Sequence, residues 1–248
     1  MTFQQAHDAP LVRTDEDTSV VAELQREAFR GVSGVSVPPM PVGTPSSDDP
    51  RWATSLGIEP GQIVGLSGLP GSGMTRLGMA FLAPYATRGQ LAYLDVRGWA
   101  NPAAAWEMGI PPERLVVIRS GDVVTWGRIV ATLLSGVRGV FAEVPTGVRD
   151  GMLRKLAAKA RAQRTPLVLR PVAGTLPSGV ANLRLEARSV VWDGTDAGHG
   201  QLTRRRAVFD ATGKAMRGMQ RTIEVEDDGT DDLHLVPDLG TQATRHLA

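Results

Sequence analysis

Short apolar runs alternate with segments of helical periodicity through the middle of the chain. The apolar runs are Ile63–Ser67, Leu91–Asp95, Leu115–Ile118, Gly139–Val144 and Pro166–Leu169. A helical pattern follows the first run, and others cover residues 123–135 and 151–163. Continuous rather than alternating apolar runs are typical of strands that are buried on both faces. The pattern therefore predicts an α/β fold, with a mainly parallel twisted sheet flanked by helices.

The pattern changes after Arg188. Three strand-like segments, Ser189–Asp193, Gln201–Asp210 and Arg221–Glu226, are separated by Gly/Asp turns with no helical pattern between them. Consecutive strands joined by turns pair antiparallel. We therefore expect antiparallel strands to extend the parallel sheet at one edge.

The two ends of the chain differ from its middle. Residues 19–29 carry apolar residues at helical spacing, and a segment rich in Gly, Ser and Pro follows. We expect residues 1–50 to contain an amphipathic helix, packed on its own core or on a neighbouring subunit, and then a linker. The core is expected at residues 51–226. Residues 227–248 are expected to form an acidic, flexible tail.

Composition excludes several classes of protein. The formal net charge of +1 gives no overall attraction to nucleic acid or to a membrane. Without cysteine the chain has neither disulfides nor cysteine-ligated metals, which fits a reducing cytoplasm. The four histidines are far apart, so no metal site is predicted. No signal peptide and no long apolar window is present, and we expect a cytoplasmic protein without membrane contact.

The most specific motif follows the first apolar run. Gly68–Thr75 has the G-x-x-x-x-G spacing of a phosphate loop, with Met74 at the lysine position. In such loops backbone N–H groups and a helix N-terminus hold an anion, and the hydroxyl of Thr75 could contact a metal. A phosphate-loop ATPase also needs acidic residues near the phosphates. Glu143 ends a predicted buried strand, at the place expected for the second of these acids. The candidate nucleotide-binding residues are Gly68, Gly71, Ser72, Gly73, Met74, Thr75 and Glu143.

Met74 removes a full positive charge from this candidate site. Loss of one partner of a close charge pair costs about 2–5 kcal/mol. At ~1.4 kcal/mol per tenfold change, nucleotide binding would weaken by a factor of tens to thousands. Arg76, Arg97 or Arg170 could replace part of the missing charge. We expect no catalysis and no bound cofactor, with weak residual binding of ATP and Mg²⁺ as the alternative.

A group of basic residues surrounds the late strands. Its members are Arg204, Arg205, Arg206, Lys214 and Arg217. Such a group is either a solvated face, or a contact surface for DNA phosphates or for an acidic protein. The spacing leaves these alternatives open.

The order of these elements resembles the RecA ATPase core over residues 55–226. The similar segments are 61–76, 91–102, 115–120, 154–170 and 208–225. Three positions depart from the RecA pattern. Met74 replaces the phosphate-loop lysine, Arg97 stands at the position of the catalytic glutamate, and Pro171 stands at that of the sensor glutamine.

A shortened RecA-like chain with a degenerate ATP site is similar to the ImuA family, in its ImuA-prime branch. That resemblance implies a non-catalytic accessory protein of the SOS-induced mutagenic complex for translesion DNA synthesis. It implies three partners: an ImuB-like homologue of Y-family polymerases, an error-prone replicative-type DNA polymerase, and RecA. Single-stranded DNA is a further candidate ligand. The alternatives are a divergent phosphate-loop ATPase and a DNA-binding RecA-like module of repair or recombination.

Overall fold

The computed structural model describes residues 58–194, 203–216 and 219–227, and the backbone of 233–235. The strands are β1 (Ile63–Ser67), β2 (Leu91–Asp95), β3 (Leu115–Arg119), β4 (Gly139–Val144), β5 (Leu167–Pro171), β6 (Leu183–Asp193), β7 (Arg204–Thr212), β8 (Arg221–Asp227) and β9 (Leu233–Leu235). The helices are α1 (Met74–Ala86), α2 (Ala103–Trp106), α3 (Val123–Gly136) and α4 (Asp150–Gln163), with 3-10 turns at Pro112–Arg114 and Lys214–Met216. None of the helices in these ranges is long and apolar enough to cross a membrane.

The described strands form one sheet in the order β3-β2-β4-β5-β1-β6-β7-β8-β9. The strands from β3 to β6 in this order pair parallel, and β7, β8 and β9 add to β6 in antiparallel pairs. The protein is therefore an α/β fold whose mostly parallel sheet is flanked by helices and carries antiparallel strands at one edge, as the sequence predicts.

The start of β6 differs from the prediction. β6 begins at Leu183, whereas the sequence pattern placed this strand at Ser189–Asp193. Its first residues pair parallel with β1, with Leu185 beside Leu66, and the later residues extend past β1 and pair with β7. The prediction of this boundary was wrong because the first half of β6 belongs to the parallel sheet and only the second half to the antiparallel extension.

Two apolar clusters cover the two faces of the sheet. On one face α1 packs against the strands, and the Cβ that Gly78 lacks would lie 2.7 Å from the ring of Phe141. On the other face α3 and α4 pack through Trp126 and Leu156, both buried. Burial on both faces explains the continuous apolar runs of β1, β2, β4 and β5, whereas the edge strand β3 is half-buried. The close approach at Gly78 fixes α1 directly above β4.

The structure describes part of the C-terminal segment but none of the N-terminal one. Residues 1–50, with their predicted helix, lie outside the described residues, as do residues 236–248. The expected boundary after residue 226 falls within β8, whose last residue, Asp227, is 8% exposed. Leu233–Leu235 forms β9 and pairs with β8. The sheet therefore extends into the segment that composition assigned to an acidic tail, and Asp227 in that segment pairs with Arg76 and Arg205.

Candidate functional site

The glycine-rich loop between β1 and α1 closes on itself. The backbone N–H of Ser72 donates to the carbonyl of Leu69 at 3.1 Å, and Ser72 Oγ donates to the same oxygen at 2.6 Å. Pro70 and Gly71, with φ of 85° at the glycine, occupy the middle of this turn in the order that a type II turn requires. The Ser72 N–H is therefore used inside the loop, and a bound anion could reach it only if this turn opened.

Gly68, the first glycine of the loop, is packed closely against Ser72 and Ala187. A Cβ at Gly68 would lie 2.6 Å from Ser72 Oγ and 2.8 Å from the Cβ of Ala187 on β6. A side chain at this position would push the loop away from the sheet, so the close approach requires glycine. The glycine spacing of the motif thus has a packing role in this chain.

Met74 is the first residue of α1, and its side chain is 1% exposed. It belongs to the apolar cluster on the α1 face of the sheet. The side chain at the lysine position is therefore part of the core. The first turn of α1 contains no acidic residue, and its N-cap, Gly73, makes no side-chain capping bond.

Four charged residues lie at the carboxyl ends of four neighbouring strands. Asp95 on β2 lies beside Arg119 on β3, and Glu143 on β4 lies beside Arg170 on β5. β2 and β4 are adjacent, with Leu94 opposite Ala142, so Asp95 and Glu143 follow side by side. Both carboxylate side chains have no exposed surface. Buried carboxylates are costly unless hydrogen bonds and opposite charges compensate them, and both kinds of partner are present here.

Glu143 is shared between two arginines, and we call Glu143, Arg97 and Arg170 the Glu143 cluster. One carboxylate oxygen, Oε2, accepts the backbone N–H groups of Val96 at 3.1 Å and Arg97 at 3.2 Å. The other, Oε1, accepts Arg97 Nε at 3.0 Å and also contacts Arg97 Nη2, while Arg170 Nη1 lies 4.0 Å away. The carboxylate expected to serve a metal or a water is therefore occupied by donors of the protein.

The two arginines of the Glu143 cluster differ in their electrostatics. Burial alone would lower the pKa of Arg97, but the hydrogen bonds and charge of Glu143 outweigh it and raise the pKa. For Arg170, burial and then the charge of Arg97 lower the pKa. Arg170 Nη1 also donates to Thr75 Oγ1 at 3.0 Å. Both polar groups of the candidate nucleotide site, the Thr75 hydroxyl and the Glu143 carboxylate, thus have guanidinium neighbours.

Asp95 organises the turn that follows β2. Its Oδ1 accepts the N–H groups of Gly98 at 2.9 Å and Trp99 at 3.1 Å, and its Oδ2 accepts that of Ala100 at 3.0 Å. Gly98, with φ of 74°, allows the chain to reverse within this short distance. The guanidinium of Arg97 stacks on the ring of Trp99, 4.8 Å from its centroid. The indole is held in place while remaining 68% exposed.

A second shared carboxylate lies on the other side of the loop, and we call Asp227, Arg76 and Arg205 the Asp227 cluster. Asp227 Oδ2 is 3.1 Å from Arg76 Nη1 and 2.7 Å from Arg205 Nη2. Arg76 also pairs with Glu107 at 3.2 Å. A Cβ at Gly73 would lie 2.7 Å from Arg205 Nη1, so the guanidinium rests on the loop. Burial, despite the charge of Asp227, lowers the pKa of Arg205.

Side chains alternate between the two faces along β7, and this divides the predicted basic group. Arg205 faces the loop, whereas Arg204 pairs with Glu226 at 3.3 Å and Arg206 with Asp193 at 3.5 Å. Lys214 is exposed in a 3-10 turn, and Arg217 lies outside the described residues. The structure therefore brings one member, Arg205, to the candidate nucleotide site. The contact of this group with DNA or with a partner stays a prediction.

Sequence reasoning missed the roles of Trp99 and Asp227. For Trp99 a signal existed, because an acidic strand end followed by Gly-Trp indicates a capped turn with an aromatic side chain at its apex. For Asp227 no local signal exists, since its partners are distant in the sequence. Within the described residues, no group of three His, Asp or Glu side chains is placed to hold a metal.

A comparison with protein-family models shows which family this chain is similar to. A family model described as the MT3502 N-terminal domain matches residues 53–176, half of the chain, from the approach to β1 through β5 and into the loop that follows. The search of curated proteins found no match. The matched region contains the glycine-rich loop and the whole Glu143 cluster, while the Asp227 cluster takes Asp227 and Arg205 from beyond it. The chain belongs to the MT3502 N-terminal domain family.

Proposed function

We propose that this protein is a non-catalytic, RecA-like accessory protein of the SOS-induced mutagenic complex for translesion DNA synthesis. In this proposal it acts in the cytoplasm through contacts with an ImuB-like homologue of Y-family polymerases, an error-prone replicative-type polymerase and RecA. One observation carries the non-catalytic part. Arg170 engages the Thr75 hydroxyl, and Arg97 engages the Glu143 carboxylate.

The chemistry of phosphate-loop ATPases explains why this observation matters. Such enzymes need a lysine on the β- and γ-phosphates, a hydroxyl and an acid around Mg²⁺, and a group that orients the attacking water. Here the lysine position holds a buried methionine, and the hydroxyl and the acid are bonded to arginines. An Mg²⁺ ion would have to approach two guanidinium groups, which Coulomb repulsion opposes. Binding of partners requires none of these groups to be free.

The test is ATP hydrolysis by the full chain, with and without single-stranded DNA. We expect no turnover above background, and no difference between the wild type and Thr75→Ala. Turnover well above background that disappears in Thr75→Ala would overturn the proposal, because only a working site needs that hydroxyl.

A more demanding form of this hydrolysis test places a lysine at position 74. We expect Met74→Lys to leave the protein without ATPase activity, because the guanidinium groups of Arg97 and Arg170 still surround the metal position. Since Met74 is 1% exposed, the charged side chain should also lower the free energy of unfolding by about 1–3 kcal/mol, measured by urea denaturation.

The matched control is Met74→Leu. An apolar replacement of similar volume costs less than about 1.5 kcal/mol, so it separates loss of packing from introduction of charge. ATPase activity gained by Met74→Lys and absent from Met74→Leu would mean that the site lacks only the lysine.

A second candidate function is a divergent phosphate-loop ATPase in which an arginine replaces the lysine. The observation in its favour is that Arg170 donates to Thr75 and the guanidinium of Arg205 rests on Gly73, both at the start of α1. Titration with a fluorescent ATP analogue distinguishes the two functions. Saturable, Mg²⁺-dependent binding that Arg170→Gln abolishes would favour the ATPase, whereas absence of binding favours the accessory protein.

A further inference from the structure

Three large apolar side chains are exposed at the same edge of the sheet. Leu69 is 80% exposed, Trp99 68% and Val124 56%. They belong to the segments that follow β1, β2 and β3, respectively, and these strands are parallel members of one sheet. The carboxyl ends of such strands meet at one edge, so the three side chains share it. Exposed apolar groups that share one edge of a sheet are candidates for an interaction site in a soluble protein.

The order of strands gives the spacing of these groups. β2 and β3 are neighbours, and β4 and β5 separate β2 from β1. At about 4.8 Å per strand, Leu69 and Trp99 are about 14 Å apart along the edge. An extended peptide rises about 3.3 Å per residue, so about four residues span this distance. The edge thus has the dimensions of a site for a short peptide segment.

Trp99 has the properties of an anchor in a binding site. Three backbone N–H groups bonded to the buried Asp95 fix its turn, and Arg97, itself held by Glu143, stacks on its ring. A side chain that is already ordered loses little entropy on binding, which is why rigid aromatic residues contribute strongly to protein interfaces. The hydrogen bonds of two buried carboxylates therefore keep an exposed indole in one position.

The charges around Trp99 indicate the chemistry of the partner. The side chain of Arg119 is 69% exposed and that of Arg97 19% exposed, whereas the carboxylates of Asp95 and Glu143 are fully buried beneath them. At Trp99 a partner therefore meets cations beside an apolar ring, whereas at Val124 the exposed carboxylate of Asp122 caps α3. Carboxylates complement the cations, and aliphatic or aromatic side chains complement Leu69 and Val124. A nucleobase could stack on Trp99, but two aliphatic side chains add nothing to its recognition.

We propose that the surface formed by Leu69, Trp99 and Val124 binds a short apolar peptide segment flanked by carboxylates and carried by a partner protein. This inference rests on the proposed function in one respect, namely that the chain acts by binding proteins. The two can fail separately. ATP turnover would overturn the proposed function without affecting peptide binding, and the variants below would leave an absence of turnover unchanged.

The experiment selects a phage-displayed library of random 12-residue peptides on the full chain, and then measures the affinity of the best peptide, made synthetically, for variants. We expect the selected peptides to combine an aromatic or aliphatic residue with Asp or Glu neighbours, and their affinity to fall as salt rises. Trp99→Ala should weaken binding at least about tenfold, as for a hot-spot residue. Leu69→Ser, at the other end of the surface, should weaken it less.

The matched control is Trp192→Ala, since Trp192 is also half-exposed and stacked by an arginine, Arg205, but lies on β6. Its affinity for the peptide should stay within about twofold of the wild type. Unchanged melting temperatures show that the variants are folded, as expected at exposed positions.

Three results would overturn the proposal. The first is a set of selected peptides without carboxylates, or with an affinity that Trp99→Ala leaves unchanged. The second is binding of a single-stranded oligothymidylate that Trp99→Ala abolishes while peptide binding persists, which would make Trp99 a base-stacking residue. The third is self-association of the wild type that Trp99→Ala removes, measured by sedimentation, which would make the surface an interface between two copies of this chain.

Discussion

The Glu143 cluster and the Asp227 cluster have the same composition, one carboxylate between two arginines, but different surroundings. The first lies at the end of a central strand, and its carboxylate is fully buried and also accepts two backbone N–H groups. The second lies at the end of β8, where the carboxylate is 10% exposed and Arg76 has Glu107 as a further partner. Both lie beside the first turn of α1, through Thr75 and Gly73, respectively.

The difference indicates two separate structural tasks. The Glu143 cluster neutralises charges inside the parallel sheet and positions the turn that carries Trp99. The Asp227 cluster fastens the antiparallel strands to the glycine-rich loop. A buried charge without its partner is far more costly than a partly hydrated one, so the two clusters should respond differently to loss of their carboxylates.

The largest effect is expected for Glu143→Gln. The amide keeps the volume but leaves the charges of Arg97 and Arg170 uncompensated inside the protein, and the free energy of unfolding should fall by about 3–5 kcal/mol. Urea denaturation measures the change. Glu113→Gln, at an exposed position in a 3-10 turn, is the control and should stay within about 0.5 kcal/mol of the wild type. Equal effects of Glu143→Gln and Asp227→Asn would remove the distinction between the clusters.

A smaller effect is expected for Asp227→Asn. Arg76 keeps Glu107, and the side chains of the cluster reach solvent, so we expect a loss of about 1–3 kcal/mol. Amide hydrogen exchange should quicken around Gly73, which Arg205 covers, and remain unchanged in β4. Glu226→Gln, which breaks the more exposed pair with Arg204, is the control and should cost less than about 1 kcal/mol. Unchanged exchange at Gly73 would contradict the fastening role.

The smallest effect concerns Tyr93, whose pKa depends in part on the charge of Glu143. Burial, and then the charge of Glu143, raise the pKa of Tyr93 above its ordinary value of 10.0. The folded state therefore keeps this proton at a pH where the unfolded chain releases it. The resulting contribution to stability is complete below pH 10.0 and is lost above it, by at most about 1.4 kcal/mol per pH unit.

The test measures the free energy of unfolding at pH 9 and above pH 10.0, for the wild type and for Tyr93→Phe. The variant should lose less stability than the wild type as the pH rises. Tyr85→Phe is the comparison variant. The pKa of Tyr85 is also raised, mainly by burial, but Glu59 and Arg88 are the charges beside it. In the Glu143→Gln background the effect of Tyr93→Phe should shrink and that of Tyr85→Phe should not.

The parts of the fold that depend on local sequence could be predicted. β2 has the predicted bounds, Leu91–Asp95, because a short apolar run that ends in a carboxylate is unambiguous. The glycine-rich loop lies between a strand and a helix, as its motif requires. The paired position of Asp95 and Glu143 depends on the order of strands, which no local pattern specifies. The contact between Arg205 and Gly73 depends in addition on how far β6 and β7 extend beyond β1.

The position of β1 has a consequence for synthesis of the chain. β1 is the first described strand, yet its two neighbours in the sheet are β5 and β6, and Ile63 N–H donates to Asn182 Oδ1 across 119 positions of sequence. Ribosomes add about 5–20 residues per second, so this strand leaves the ribosome roughly 6–24 s before its last neighbour exists. During that interval β1 and the glycine-rich loop have neither of their sheet partners, and pairings this distant in sequence also form slowly. β1 and the glycine-rich loop are translated before the other described strands and are among the last to acquire their native contacts. A chaperone or an early partner would therefore meet β1 as an exposed apolar segment.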